Sequence, residues 1–491
     1  MNNLSNIWIM NIKILFFLLF PLLGISQVQI GQDMNGDTAS EGFGVTLALS
    51  GDGKVVAVKA TRKTVSNPNN LQLSYVRVFR NVSGVWTQIG NDIDGERFGR
   101  VSLSANGSVL AIGLPNSSVN GANSGQVQIY ELNTSNVWTK KGQDINGLAT
   151  QDYNGISVSL SADGNVIAIG AHCLVAVPNK AGYTRVFNYN AGVWSQVGQD
   201  IIGEAIGDRS GISVSLSENG NTVAIGADLN DSNGNNSAGH IRVYRNESGT
   251  WVKVGQDIDG KAAAELFGRD VSISADGNTV VGGAHKGVLN GVQMGLARVY
   301  ENNSGFWNQI GQDIPITSEY GEIRVSLSGD GKTVAIGSNR HSQSRGVVKI
   351  FRNISGNWLQ VGTDIEGDKP GDEKGSVSLS SDGNTVATGA YSNDTNGHSS
   401  GQVRVFDLSN ASSDKFVLES FNIYPNPTTD VLNISLENNL VLEKVTLYNN
   451  LGQVVLTANK NIIDVSSLAK GLYFIEVETN QGKASKKVIV K

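Results

Sequence analysis

Asp228, Asn230, Asp231 and Asn233 put four oxygen-bearing side chains into one short stretch, and these are the hard donors that calcium prefers. Their spacing is not that of an EF-hand loop. The same residue types also make solvated turns, so the stretch reads either as a calcium site built on Asp228, Asn230 and Asp231 or as a polar loop. Acids are also the working groups of glycoside chemistry, and Glu204, Asp208, Glu265 and Glu373 are candidates for a facing pair. The sequence does not say which of them approach one another. No nucleophile elbow, phosphate loop or zinc motif stands in a suitable context. The five histidines include no pair at a metal-binding helical spacing, and His172 and His285 read as scaffold variants at equivalent strand ends. Apart from possible calcium, no cofactor is expected.

Other chemically capable residues recur too regularly to serve one site. Asp33, Asp92, Asp144, Asp200, Asp257, Asp313 and Asp364 occupy one place in seven repeats, and the expected role is to accept backbone N–H bonds at a corner. Trp86, Trp138, Trp194, Trp251, Trp307 and Trp358 follow at spacings of 52, 56, 57, 56 and 51 residues. Sugar stacking is open to them, but one indole per repeat fits packing between neighbouring units better. A third element, Ser-x-Asp/Asn-Gly, begins at Ser50, Ser104, Ser161, Ser217, Ser274, Ser328 and Ser380. It resembles the Asp-box of sialidase propellers but lacks the intervening residue and the following Trp, so turn chemistry is its reading.

The elements that carry these residues form a repeat. After each Ser-x-Asp/Asn-Gly comes a small apolar strand such as Val109 to Gly113. An alternating strand such as Val127-Gln128-Ile129-Tyr130 follows, and then a strand opening on Trp. Four β-branched and aromatic strands per repeat, separated by Gly, Asn and Asp, predict a propeller blade. The seventh repeat lacks its fourth strand, and Val28-Gln29-Ile30-Gly31-Gln32-Asp33 supplies that strand without a preceding blade. The expectation is an all-β chain: a seven-bladed β-propeller closed by its N-terminal strand, which leaves no unpaired edge at the joint. One face carries monotonous Asp-Gly turns. The other carries loops of varied length, and Glu204, Asp208, Asp228, Asp231, Asp372 and Asp394 on that face are the expected ligand-binding residues.

Composition limits the partners. A net charge of −6 gives no footprint for nucleic acid, and the single cysteine, Cys173, excludes an internal disulfide and reads as a buried thiol. Lys13, the apolar run from Ile14 to Leu23 and the small residues Gly24 and Ser26 have the order of a signal peptide, expected over 1–26 with Gln27 as the mature terminus. No other stretch is apolar enough to cross a membrane. The propeller is expected over 27–409, a linker over 410–420, and a further domain over 421–491.

That last segment has no Trp repeat and reads as a small Ig-like β-sandwich. It contains Tyr424-Pro425-Asn426-Pro427, a central Gly452-Gln453, Gly471-Leu472-Tyr473 and a final basic strand ending at Lys491. In these motifs it closely resembles the type A C-terminal sorting domain of the type IX secretion system of Bacteroidota, with Tyr448-Asn449 where that family typically has Tyr-Asp. The resemblance implies export through both membranes of a Gram-negative bacterium, with the type IX machinery as partner and a product that is secreted or held on the outer cell surface. Asn-Gly-rich loops and the pairs Phe43-Gly44, Phe98-Gly99 and Phe267-Gly268 resemble the FG-GAP repeats of integrin-type propellers. The expected function is a non-catalytic binding or adhesion protein for an extracellular glycan or protein. A polysaccharide-active glycosidase or lyase and a purely architectural surface component are the alternatives.

Overall fold

The computed structural model describes residues 27–62, 73–96, 99–173, 181–317, 321–409, 411, 421–437, 440–450, 452–479 and 482–491. The expected signal peptide, Phe98 and all of the expected linker except Ala411 lie outside the described residues. The chain divides into two compact units, Ser26–Val417 and one containing Leu418–Lys491. Apart from a 3-10 turn at Ser232–Gly234, every regular element among the described residues is a strand.

The larger unit holds seven antiparallel sheets in chain order. Sheet three shows the plan: Ser157–Leu160, Val166–Ala171, Tyr183–Asn190 and Val193–Gln196 pair in sequence, and Ile201–Ile202 returns to the third strand. Second strands such as Val109–Leu114 and Thr333–Ser338 are buried along their whole length. Covered on both faces, they need continuous small apolar sequence rather than alternation.

Each Ser-x-Asp/Asn-Gly segment is a self-contained turn. The Ser161 hydroxyl donates to Asp163 at 2.6 Å and accepts the Val166 N–H at 2.9 Å, and Ser274 repeats this with Asp276 and Thr279. The turns are also linked to one another. Backbone N–H groups of Asp52, Ala105, Ala162, Glu218, Ala275, Gly329 and Ser381 donate in turn to Ala105, Ala162, Glu218, Ala275, Gly329, Ser381 and Gly51, at 2.7 to 3.1 Å. The last bond returns to the turn where the first began. A second set of seams joins the first strands, where Ser hydroxyls of one sheet accept N–H groups of the next, as Ser102 does from Leu160 and Ser378 from Leu49.

The tryptophans make a third set. All six indole N–H groups among the described residues donate to a carbonyl of the preceding repeat, from Trp86 to Ile30 through Trp358 to Ile310. In five of the six, a Gln amide of that repeat also brackets the Trp backbone, as Gln256 does by donating to the Trp307 C=O at 2.7 Å and accepting its N–H at 3.1 Å. For the sixth, Trp138, the equivalent place in the preceding repeat holds Asn91, which is one methylene shorter than Gln, and Trp138 is the one Trp of the set that is only partly buried.

The strand that opens on Trp differs from the single strand expected. In most sheets it breaks at a glycine, as Val85–Gln88 does before Ile93–Glu96 resumes on the same partner. Gly90 has φ +68°, and a Cβ there would lie 2.6 Å from Trp138 Cδ1, so both conformation and packing require glycine. The recurrent aspartates follow this break and are corrected accordingly. They pair with side chains of the same sheet instead of serving as backbone acceptors at a corner: Asp92 with Arg77 at 2.8 Å, Asp33 with Arg404 at 2.8 Å, Asp257 with Arg242 at 2.7 Å, and Asp313 with Arg298 at 2.9 Å. A cation on the adjacent third strand is a stronger partner than a neutral amide.

The N-terminal segment belongs to the seventh sheet. Val28 and Gln29 pair with Asp407 and Phe406, and Met34 and Asn35 with Val403 and Gln402. At this seam the amide bracket is inverted. Gln27 stands in the Trp position, and its side chain donates to the Thr363 C=O at 2.8 Å and accepts the Thr363 N–H at 2.9 Å.

The smaller unit contains a three-stranded sheet (Phe421–Tyr424, Val431–Leu436, Ile462–Asp464) and a four-stranded sheet (Val454–Ala458, Leu442–Asn449, Gly471–Thr479, Gly482–Val490), all antiparallel. Phe421, Leu432, Val445, Leu447, Ile475, Val477 and Val488 are fully buried in it.

Candidate functional site

Four residues before each Ser-x-Asp/Asn-Gly serine, Thr46, Arg100, Ser157, Ser213, Asp270, Arg324 and Ser376 stand on the seven first strands or, for Arg100, immediately before one. All seven line one cavity of about 210 Å³. Three of the four hydroxyl members serve the scaffold: Ser157, Ser213 and Ser376 donate to Gly211, Gly268 and Val45 of the next sheet at 2.9, 2.7 and 2.9 Å. The three charged members turn to one another. Arg100 reaches Asp270 at 2.9 Å, although 170 residues separate them, and Arg324 lies 3.8 Å from the same carboxylate. Asp270 keeps one bond to the scaffold by accepting the Val325 N–H at 2.9 Å.

Val45, Arg324 and Ser376 also line a second cavity of about 500 Å³, whose walls add Glu322, His285, Asn339, Arg340 and Tyr391. Glu322 accepts from Arg324 at 2.7 Å, and that guanidinium, outweighing burial, holds its carboxyl below the usual range. Burial, with the Arg269 and Arg324 charges, pulls His285 down to about 4. The ring is therefore neutral at pH 7, consistent with Nε2 accepting the Ile323 N–H at 3.2 Å. His172 is held at about 4 by burial and by Arg209, and its Nδ1 has no hydrogen-bond partner. Burial and the like charge of Arg324 work against the Arg100 cation more strongly than Asp270 favours it. Asp228, fully buried, pairs with Arg209 and with Arg269 at 2.9 Å. Arg100, Arg209, Arg269 and Arg324 thus stand close to Asp228, Asp270 and Glu322.

The residues expected from sequence to hold a ligand divide differently. Glu204, Asp208 and Asp231 line another cavity, of about 530 Å³, together with Asn230, Asp257 and Asp259. Asp208 is spent inside its loop, accepting from Ala205 N at 2.9 Å and from Asn230 Nδ2 at 2.8 Å. Asp372 repeats that role with Lys369 and Asn393. Asp231 accepts the Ser237 N–H at 2.8 Å, and exposed Asp394 accepts the Ser399 N–H at 2.7 Å. The three candidate calcium ligands are each engaged elsewhere: Asp228 by two arginines, Asn230 by Asp208 and Ser232, and Asp231 by its loop.

Among the described residues, Glu204, His240 and Asp257 bring ligand atoms within 4.8 Å of one another. Arg242 bonds to both carboxylates there, so a fixed cation already supplies the positive charge a metal would bring. The other candidate acids are likewise engaged. Buried Glu265 accepts from Ala262 N and Arg298, and Glu373 accepts from Ser392. Cys173 is buried beside Ala171 and Tyr183, as expected.

No run of neighbouring acids marks the charged cavity in the sequence, because Arg100, Asp270 and Arg324 lie in three different repeats. Aligning the repeats by column would have found it, since hydroxyls fill four places and Arg100, Asp270 and Arg324 the other three. His285, read from sequence as a scaffold variant, accepts the Ile323 N–H of the next sheet and also lines the second cavity.

In the smaller unit the motif residues brace the strands. Asn426 donates to Lys487 O at 2.7 Å and accepts Ile489 N–H at 3.0 Å, and Lys491 N donates to Thr428 O at 2.8 Å. Tyr424, Pro425 and Pro427 flank that contact, Gly452 turns at φ +75°, and Tyr473, two residues after Gly471, donates its hydroxyl to Ala469 O at 2.7 Å. Residues 422–491 match the family described as the secretion system C-terminal sorting domain, the Por secretion tail. The match supports a type IX secretion substrate of Bacteroidota, exported to the cell surface or secreted. No curated protein matches the chain. Among solved structures, the chain is similar to a Bacteroides uniformis protein described as a candidate 6-phosphogluconolactonase (16% identity, 66% of this chain and 86% of that chain, TM-score 0.45). It is also similar to U3-55K (12% identity, 78% and 98%, TM-score 0.45). Neither likeness bears on function. No helix among the described residues is long and apolar enough to cross a membrane.

Proposed function

We propose that this chain is a non-catalytic binding protein of the cell surface or extracellular space. Its scaffold is a seven-bladed β-propeller with FG-GAP-like repeats, closed by the strand that follows a removable signal peptide. Its ligand sits where the seven first strands converge. The observation that carries the reading is the cavity lined by residues from all seven sheets, with Arg100, Asp270 and Arg324 in the column where Ser157, Ser213 and Ser376 join sheet to sheet. Support for the closed ring comes from the seven turn-to-turn hydrogen bonds and from the pairing of Val28 and Gln29 with Asp407 and Phe406. Charged side chains standing in a column otherwise filled by hydroxyls mark a place kept for recognition.

Glycoside hydrolysis is the weaker reading. A general acid needs a raised pKa, whereas Glu322 at the cavity is lowered by Arg324. Screening the full chain against a glycan array and against bacterial and host surface extracts, in parallel with Arg100→Gln, tests the proposal. Binding lost in the variant is the expected result. Binding that the variant leaves intact moves the site elsewhere, and release of products from a bound glycan sets aside the non-catalytic reading.

A further inference from the structure

We propose that the cavity binds a sugar acid, its carboxylate held by Arg100 and Arg324 and its hydroxyls by Glu322 and Asn339. This rests on the binding reading above and narrows it to one class of ligand.

Three observations converge on that class. The first is charge. The chain as a whole is net −6, yet the two cavities that share Arg324, with their immediate neighbours, carry Arg100, Arg209, Arg269, Arg324 and Arg340 against Asp228, Asp270, Glu322 and the Glu373 that Tyr391 bonds. With His172 and His285 neutral, the surplus is positive, so an anion entering here gains what the scaffold does not supply.

The second is unspent donor capacity. Arg100 meets Asp270 through a single nitrogen, and Arg324 stands 3.8 Å from the same group. A guanidinium presents five donors in a planar fork suited to a carboxylate. The side chains of Arg100 and Arg324 are 30% and 23% exposed, open to the cavity rather than sealed in the core.

The third is that the wall is not purely cationic. Glu322, half exposed, can only accept, and Asn339 and Tyr391 stand with it around the same cavity. A ligand that satisfies both the arginines and Glu322 must carry an anion and hydrogen-bond donors on one small body, as the carboxylate and hydroxyls of a sugar acid do. Cavities of about 210 and 500 Å³, with Arg324 and Ser376 in the walls of both, accommodate a sugar acid, either free or as a unit of an acidic polysaccharide.

Titration calorimetry on the full chain decides the matter with four probes: free galacturonate, a galacturonate trimer, a neutral galactose trimer, and glutamate. The expected result is binding of one or both galacturonates, at least tenfold tighter than the neutral trimer and glutamate, and weakening on going from 50 to 500 mM salt. Preference between the two galacturonates identifies the source as free acid or polymer. Arg100→Gln is expected to weaken binding at least tenfold. Because it strips Asp270 of a partner, Arg324→Gln, whose Glu322 partner stays solvated, serves as the second variant with the same expectation. Neutral trimer or glutamate binding as tightly as galacturonate, and weakened by the same variants, overturns the sugar-acid assignment while leaving the cavity a binding site. Galacturonate binding untouched by both variants, or no binding of any probe, overturns the assignment, and variant-insensitive binding overturns the location of the site as well.

Discussion

His172 and His285 are two of the three buried histidines through which acid acts on this protein at neutral to mildly acidic pH, the third being His240, which burial and the Arg242 charge also pull down. The first two are held at about 4, against about 6.5 in an unfolded chain. Between those values the unfolded state binds more protons than the folded state, so stability rises with pH across that window and is lost as pH falls from about 6.5 toward 4. Each ring contributes on the order of 3 kcal/mol over the whole window. Urea unfolding at pH 7.5, 5.5 and 4.5 is expected to show a steady fall in the midpoint, and the double variant His172→Gln/His285→Gln a flatter profile. Equal slopes for the two proteins would show that other groups carry the proton linkage. Asp257 belongs to a lower window. Burial raises its pKa, but the hydrogen bonds from Arg242 and Lys253 win and hold it at about 2, so its contribution survives to pH 4 and is lost only below that.

The element with the most consequence for its size is the opening strand. It contributes Val28 and Gln29, then Met34 and Asn35, to the edge of Gln402–Asp407, and Gln27 brackets Thr363 across the same seam. Removing residues 27–35 would leave that edge unpaired, an invitation to association between molecules. The shortened protein is expected to unfold at a lower temperature and to form dimers or larger species in size-exclusion chromatography. An unchanged melting temperature and a monomeric profile would mean that the last sheet is complete without the strand. Gln27→Ala, which loses only the bracket at an exposed position, is expected to cost about 1 kcal/mol or less. Since the same amide brackets Trp307 from Gln256 and Trp358 from Gln312, the seam uses the repeat's own device with donor residue and target exchanged.

For the whole molecule, two units with separate cores imply separable roles. Deleting residues 421–491 is expected to leave the unfolding midpoint of the larger unit unchanged within about 1 kcal/mol while the protein accumulates inside the cell envelope. Cell fractionation and denaturant unfolding check the two halves of that statement. Export undiminished by the deletion would remove the assigned role of the tail. Because the larger unit joins its sheets through three separate series of inter-sheet bonds, at the turns, the first-strand serines and the tryptophans, a single surface substitution in a loop is expected to be nearly silent in stability.

Much of this was legible in the chain itself. The column of Trp, the Ser-x-Asp/Asn-Gly turns and the fourth strand missing from the last repeat are local patterns. Local patterns survive in sequence because hydrogen-bonding and packing needs recur at fixed spacing. The tail was legible for a similar reason, since Asn426 and Tyr473 brace strands near them in space through short, characteristic motifs. The partners of the recurrent aspartates were not legible, because a residue's place after a glycine break does not reveal which side chain faces it from the adjacent strand. Nor was the site. Asp228, Asn230 and Asp231 are neighbours in sequence, and folding sends each to a different partner. Arg100, Asp270 and Arg324 are remote in sequence, and only the convergence of seven first strands brings their charges into one cavity.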